Sequence, residues 1–175
     1  MHLLVSPQLP VAYFCRGNAW YYKAKALSWY KNEEIYIDKA IQDFNKTIEL
    51  SPTHVDAYNN RGIMWFMKLD DNKAIQDYTK AIEICPNYER AYYQRALTWE
   101  YKKKYDNAIE DYNTFLRIAG NKHGNEEYIK KKLVSLKKKR QICQDNIVPE
   151  QKNAADQKSR GIFGKRTDIK AFLVC

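Results

Sequence analysis

The sequence predicts an all-α fold, an α-solenoid built of helix–turn–helix units, and three observations carry that expectation. Ala-Tyr-x-x-Arg-small-x-x-Trp occurs three times, at Ala12 to Trp20, Ala57 to Trp65 and Ala91 to Trp99. A second pattern, Ala-Ile-Gln/Glu-Asp-aromatic, starts at Ala40, Ala74 and Ala108, a period of 34. Pro52 and Pro86 keep the same period. Two motifs and a helix breaker held to one repeat length describe stacked units that share a core.

Each motif reads as one face of a helix. In the first, Tyr, the small residue and Trp are spaced by about one helical turn and share a side. Gly17, Gly62 and Ala96 leave room for the unit's second helix to approach. In the second, the leading Ala and the aromatic four residues on (Phe44, Tyr78, Tyr112) form the matching stripe. Pro52 and Pro86 then stop that helix. Arg16, Arg61 and Arg95 recur in phase with Asp43, Asp77 and Asp111, which favours structural pairing between a unit's two helices.

The units divide the chain in order. Residues 1–11 read as the remnant of a preceding repeat or as an N-terminal brace, since Pro7 lies five residues before Ala12 as Pro52 does before Ala57. Repeat one spans 12–54 and carries eleven extra residues, for Ala12 stands 28 before Ala40 where the later repeats have 17. Three further helical turns fit that length, with Trp20, Ala24 and Leu27 extending the stripe and a turn near Lys31 to Glu34, an irregular loop being the alternative. Repeat two spans 55–88 and repeat three 89–120, where Gly120 replaces proline and Phe115 replaces the smaller Thr47 and Ala81. Residues 121–143 are expected to form a basic capping helix on Ile129, Leu133, Leu136 and Cys143. From Gln144 to Cys175 the periodicity lapses and a mobile tail is expected.

On these motifs the chain resembles the tetratricopeptide repeat family over roughly Pro7 to Gly120. The resemblance implies an α-α superhelix whose first helices line a concave groove that binds protein. Carried over from the family, the groove positions are Val11, Phe14, Cys15, Asn18 and Tyr21 in repeat one. In repeat two they are Asp56, Asn59, Asn60, Ile63 and Phe66, and in repeat three Arg90, Tyr93, Gln94, Leu97 and Glu100. Aromatic anchors with amides suit a peptide segment. Chaperone-binding members of the family grip a terminal carboxylate with a clamp that Asn18, Asn60 and Arg90 match in kind. Phe14 and Gln94 stand where that clamp needs cations, so its charge compensation is incomplete.

Charge is unevenly placed. Residues 1–120 hold 16 Lys and Arg against 15 Asp and Glu, and residues 121–175 hold 14 against 6, so the net +9 belongs to the cap and tail. Lys130, Lys131, Lys132 and then Lys137, Lys138, Lys139 and Arg140 are the candidate contacts for nucleic acid or an acidic protein, although no nucleic-acid motif accompanies them. Neither a secretory signal nor a membrane span is read in the chain.

His2, His54 and His123 are scattered without a nucleophile or acid pair, and the four cysteines lack paired-ligand spacing. No catalysis, metal or cofactor is expected. Free thiols fit a reducing cytoplasm. The expectation is therefore a cytoplasmic, non-enzymatic scaffold, adaptor or co-chaperone-like module that binds a peptide. A polyanion-binding adaptor using the basic cap and tail is the alternative, and self-association at the array ends is a third reading.

Overall fold

A computed structural model of the chain describes residues 9–27, 33–120, 124 and 126–159, with backbone alone for 146–159. Among these residues the order is α1 (Pro10–Ala26), α2 (Glu33–Leu50), α3 (Val55–Met67), α4 (Asp71–Ile84), α5 (Glu89–Tyr101), α6 (Tyr105–Ala119) and α7 (Glu126–Ser159), with no strand. Helices pair as hairpins, α1 with α2, α3 with α4 and α5 with α6. Each second helix also packs on the next unit's first helix, and α7 closes the series on α6. The first helices touch in succession, α1 to α3 and α3 to α5, and so form one continuous wall. This is an all-helical repeat solenoid.

Small and large side chains interlock inside each hairpin. A Cβ added at Gly17 would stand 2.8 Å from the Phe44 ring, and one added at Gly62 would stand 2.6 Å from that of Tyr78. Both rings are buried, so the absence of a side chain on one helix sets the depth to which the other helix's ring inserts. In the third hairpin Ala96 and Tyr112 are buried in one cluster, at slightly greater bulk.

An arginine ties each hairpin at its shoulder. Arg16, Arg61 and Arg95 each make two hydrogen bonds to one carboxylate, that of Asp43, Asp77 and Asp111 respectively, at 2.6–2.8 Å. The planar fork fits a carboxylate with two parallel bonds, which suits it to a fixed interhelical distance. The remaining nitrogen reaches backward along the array. Arg61 Nη1 donates to Asn45 on α2 at 2.7 Å, and Arg95 Nη1 donates to Thr79 on α4 at 2.9 Å. Each guanidinium also lies over the motif tyrosine three residues before it, at 5.4–5.8 Å. Burial raises the carboxyl groups of Asp77 and Asp111 above the usual range, and their arginines oppose that shift.

The tight turns repeat as well. Leu69 and Lys103, 34 residues apart, take positive φ (61° and 57°). The following amides bond back to the tryptophan carbonyls, Asp70 N to Trp65 O and Lys104 N to Trp99 O, each at 2.9 Å. This six-to-one closure ends the first helix and reverses the chain. Asp70 then caps α4 by accepting from Lys73 N at 3.1 Å.

The first hairpin is longer, with 17 and 18 residues in α1 and α2 against 13 and 14 in α3 and α4. Its added turns carry core, since Ala24 and Ile37 are buried, and Trp20 stacks on Tyr36 at 5.8 Å. The turn expected near Lys31 to Glu34 overlaps residues 28–32, which lie outside the described residues, and Glu33 and Glu34 already belong to α2. Likewise Leu3 to Pro7 lie outside the described residues. Pro10 and Val11, assigned to the leading segment, belong to α1, because proline's fixed φ and missing N–H suit the first helical position.

A second boundary also moves. The cap does not end at Cys143, where the apolar stripe ends, but runs on as helix to Ser159. Residues 144–159 include Pro149, Asn146 and Asn153, which are poor residues for a helix interior, so intrinsic propensity does not account for this extension. Upstream, Ile129, Leu133 and Leu136 are buried against α6 and cover the last core cluster.

This packing bears on stability at two places. Gly62→Val should lower stability by about 1–3 kcal/mol through overpacking against Tyr78, seen as a fall in Tm. An unchanged Tm would show that the close approach is not required. Asp77→Asn should cost about 1–3 kcal/mol in urea unfolding, because it removes a charged partner from an Arg61 that is only 19% exposed. Asp43→Asn should cost less, because Arg16 is 60% exposed to water that can solvate it. Equal losses would contradict the burial argument.

Candidate peptide-binding groove

The wall of first helices encloses a groove of about 560 Å³. From α1 come Phe14, Asn18, Tyr21 and Tyr22, and from α3 Asp56, Asn59, Asn60 and Ile63. From α5 come Glu89, Arg90, Tyr93 and Gln94, and Phe115 on α6 completes the lining. One helix of each hairpin therefore supplies a strip of the surface, spaced by the stacking of the units.

The amides form a directed relay. Asn59 Nδ2 donates to Asn60 Oδ1 at 3.1 Å, and Asn60 Nδ2 donates to Asn18 Oδ1 at 2.8 Å, joining α3 to α1. Asn59 is 2% exposed, and its Oδ1 has no hydrogen-bond partner among the described residues. A buried acceptor left unmet is costly, so this oxygen marks where a donor would be favoured.

Aromatic side chains build the walls. Phe14 lies against His54 at 4.4 Å and Phe44 at 6.0 Å, and Tyr21 meets Tyr22 at 4.9 Å. At the far end Tyr93 packs on Phe115 at 5.3 Å and edge-on to Tyr112 at 6.0 Å. The Tyr88 hydroxyl donates to Asp56 Oδ1 at 2.7 Å, and burial followed by that carboxylate pushes the Tyr88 pKa up. Arg90 is held in its charged form chiefly by its hydrogen bond with Tyr88, and further by the charges of Asp56 and Glu89.

Most groove positions carried over from the family meet on this surface, but Phe66 and Leu97 do not. Phe66 turns edge-on to Tyr101 at 5.8 Å, and Leu97 packs into the core cluster shared by α5, α6 and α7. Val11, Cys15 and Glu100 also fall outside the lining, with Glu100 held by Lys132 on α7 at 2.9 Å. Tyr22, Glu89 and Phe115 are the additions. Phe115 carried a visible signal, being the large residue at a position where Thr47 and Ala81 are small.

The basic cap is sorted by its ion pairs. Lys130 pairs with Glu126, Lys131 with Glu127 and Arg140 with Asp106. Lys137, Lys138 and Lys139 are exposed and make no ion pair among the described residues. There too, no cluster of three potential metal ligands occurs, and no helix is long and apolar enough to cross a membrane.

Tetratricopeptide repeat family models match residues 55–88 and 89–122, the second and third hairpins. No curated protein matches the chain. Among solved structures, the first TPR of Spaghetti (RPAP3) bound to the HSP90 peptide SRMEEVD is similar, with 20% identity, a TM-score of 0.59, and coverage of 76% of this chain and 99% of that one. The TPR2B-domain:pHsp70 complex of yeast Sti1 gives 21% identity and a TM-score of 0.53, over 71% of this chain and 95% of that one. A thermophilic TPR protein of Thermus thermophilus gives 14% and 0.63, over 75% and 65%. At these identities the likeness speaks to the fold, which in this family is typically one of protein interaction without enzymatic chemistry. With two repeats matched in sequence and the same hairpin stacking throughout the array, the chain is a tetratricopeptide repeat protein.

Proposed function

We propose that the chain is a non-enzymatic adaptor that holds a peptide segment of a partner protein in the groove of α1, α3 and α5. The observation that carries the reading is the groove itself. Its aromatic walls can bury apolar side chains, while the Asn59, Asn60 and Asn18 relay meets backbone amides. The fold relatives solved with chaperone peptides lend the reading a precedent. Affinity is expected near micromolar, about −8 kcal/mol, because a free peptide loses conformational freedom on binding. The proposal includes a cytoplasmic setting, supported by the free thiols Cys15 and Cys85.

A second reading has one specific observation behind it, the exposed Lys137, Lys138 and Lys139 on α7, which make no ion pair among the described residues. It makes the chain an adaptor for a polyanion such as nucleic acid or an acidic protein. One experiment separates the two. Short random peptides are panned on the chain, and the binders, together with heparin as a polyanion probe, are titrated against wild type, Asn60→Ala/Arg90→Ala and Lys137→Ala/Lys138→Ala/Lys139→Ala. Groove binding predicts peptides weakened about tenfold or more by the first variant, spared by the second, and little affected between low and physiological salt. Peptides that ignore the groove variant, with tight and steeply salt-dependent heparin binding lost in the lysine variant, would favour the second reading.

A further inference from the structure

Resting on the groove reading, we infer that the groove selects an internal, donor-bearing, non-acidic peptide segment and rejects a C-terminal carboxylate. Three features of the lining point the same way. The first is charge: Asp56 and Glu89 stand against Arg90 alone, so the lining residues carry a net negative charge. Arg90 is the one cation among them and stands beside two carboxylates. A carboxylate entering here loses its hydration and gains a single cationic partner against two like charges.

The second feature is Phe14. It presents an aromatic face packed on His54 and Phe44, which offers an apolar or cationic side chain a surface and offers an anion nothing. The third is the direction of the amide relay. Its unmet group is an oxygen, Asn59 Oδ1, in a side chain that is 2% exposed. Only an N–H or O–H can satisfy an acceptor, and an ionised carboxylate carries neither. Main-chain amides and the side chains of Lys, Arg, Asn and Gln all bring donors, and the cationic ones also complement Asp56 and Glu89.

The test uses two libraries of short random peptides panned on the full chain, one displayed internally with both ends joined to carrier and one with a free C-terminus. Groove dependence is scored with Asn60→Ala/Arg90→Ala, and Asp56→Asn/Glu89→Gln checks the charge argument. Thermal melting establishes that both variants fold. The expected result is groove-dependent binders from the internal library enriched in Lys, Arg, Asn and Gln. Their affinity should be unchanged by C-terminal amidation of the synthetic peptide and should fall about tenfold when a central Lys is replaced by Glu. That Lys-over-Glu preference should shrink in Asp56→Asn/Glu89→Gln.

Acidic binders found only with a free C-terminus, and weakened about tenfold by amidation, would overturn the inference while leaving the groove as the binding surface. A Lys-over-Glu preference that survives in Asp56→Asn/Glu89→Gln would overturn the charge argument and the inference with it. If neither library yields binders sensitive to Asn60→Ala/Arg90→Ala, the inference falls together with the groove reading.

Discussion

Everything in this fold depends on a guanidinium that joins three helices at once. Arg61 holds Asp77 within its own unit by two short bonds and reaches Asn45 in the unit before, and Arg95 repeats the arrangement with Asp111 and Thr79. The aspartates are buried, at 6% and 4% exposure, so neither can be left without its partner cheaply. Helix spacing inside a unit and offset between units are thereby set by one rigid side chain. Arg16 makes the intra-unit bonds to Asp43, makes no hydrogen bond to another unit among the described residues, and stays largely in water.

The apolar core works within that frame. A missing side chain at Gly17 or Gly62 admits an aromatic ring from the second helix, and the leading alanines Ala57 and Ala91 are fully buried where the preceding second helix packs. Ala12, at the same place in repeat one, is exposed. Because each unit contacts only its neighbours, the first helices align as one wall, and the groove is a consequence of stacking. Its chemistry is then free to vary, and here it presents amides, aromatic rings and a net negative lining.

Much of this was legible in the sequence because a solenoid writes its core periodically. The hairpins, the glycine and aromatic interlock and the pairing of Arg16, Arg61 and Arg95 with Asp43, Asp77 and Asp111 all follow from residues that recur in phase. The groove was legible only in part. Offsets counted along a first helix found Asn18, Asn59, Asn60 and Tyr93, but they could not see Phe115, which enters from a second helix. They also assumed that every unit has the same neighbour. Leu97 fails that assumption because α7 closes the array beside α5 and α6. Tyr22 lies one residue past the last offset counted along α1, and α7 continues beyond Cys143 through Pro149, a residue that reads in sequence as a helix stop. The open oxygen of Asn59 is a property of three amides in space and leaves no trace in spacing.

The claim that arginine couples neighbouring units is tested most directly by a double-mutant cycle on Arg95 and Thr79, using Arg95→Met, Thr79→Val and the pair in urea unfolding. A coupling energy of about 0.5–1.5 kcal/mol is expected for a hydrogen bond that spans two units. Losses that simply add would show that the units are held by apolar packing alone and that the guanidinium bridges nothing.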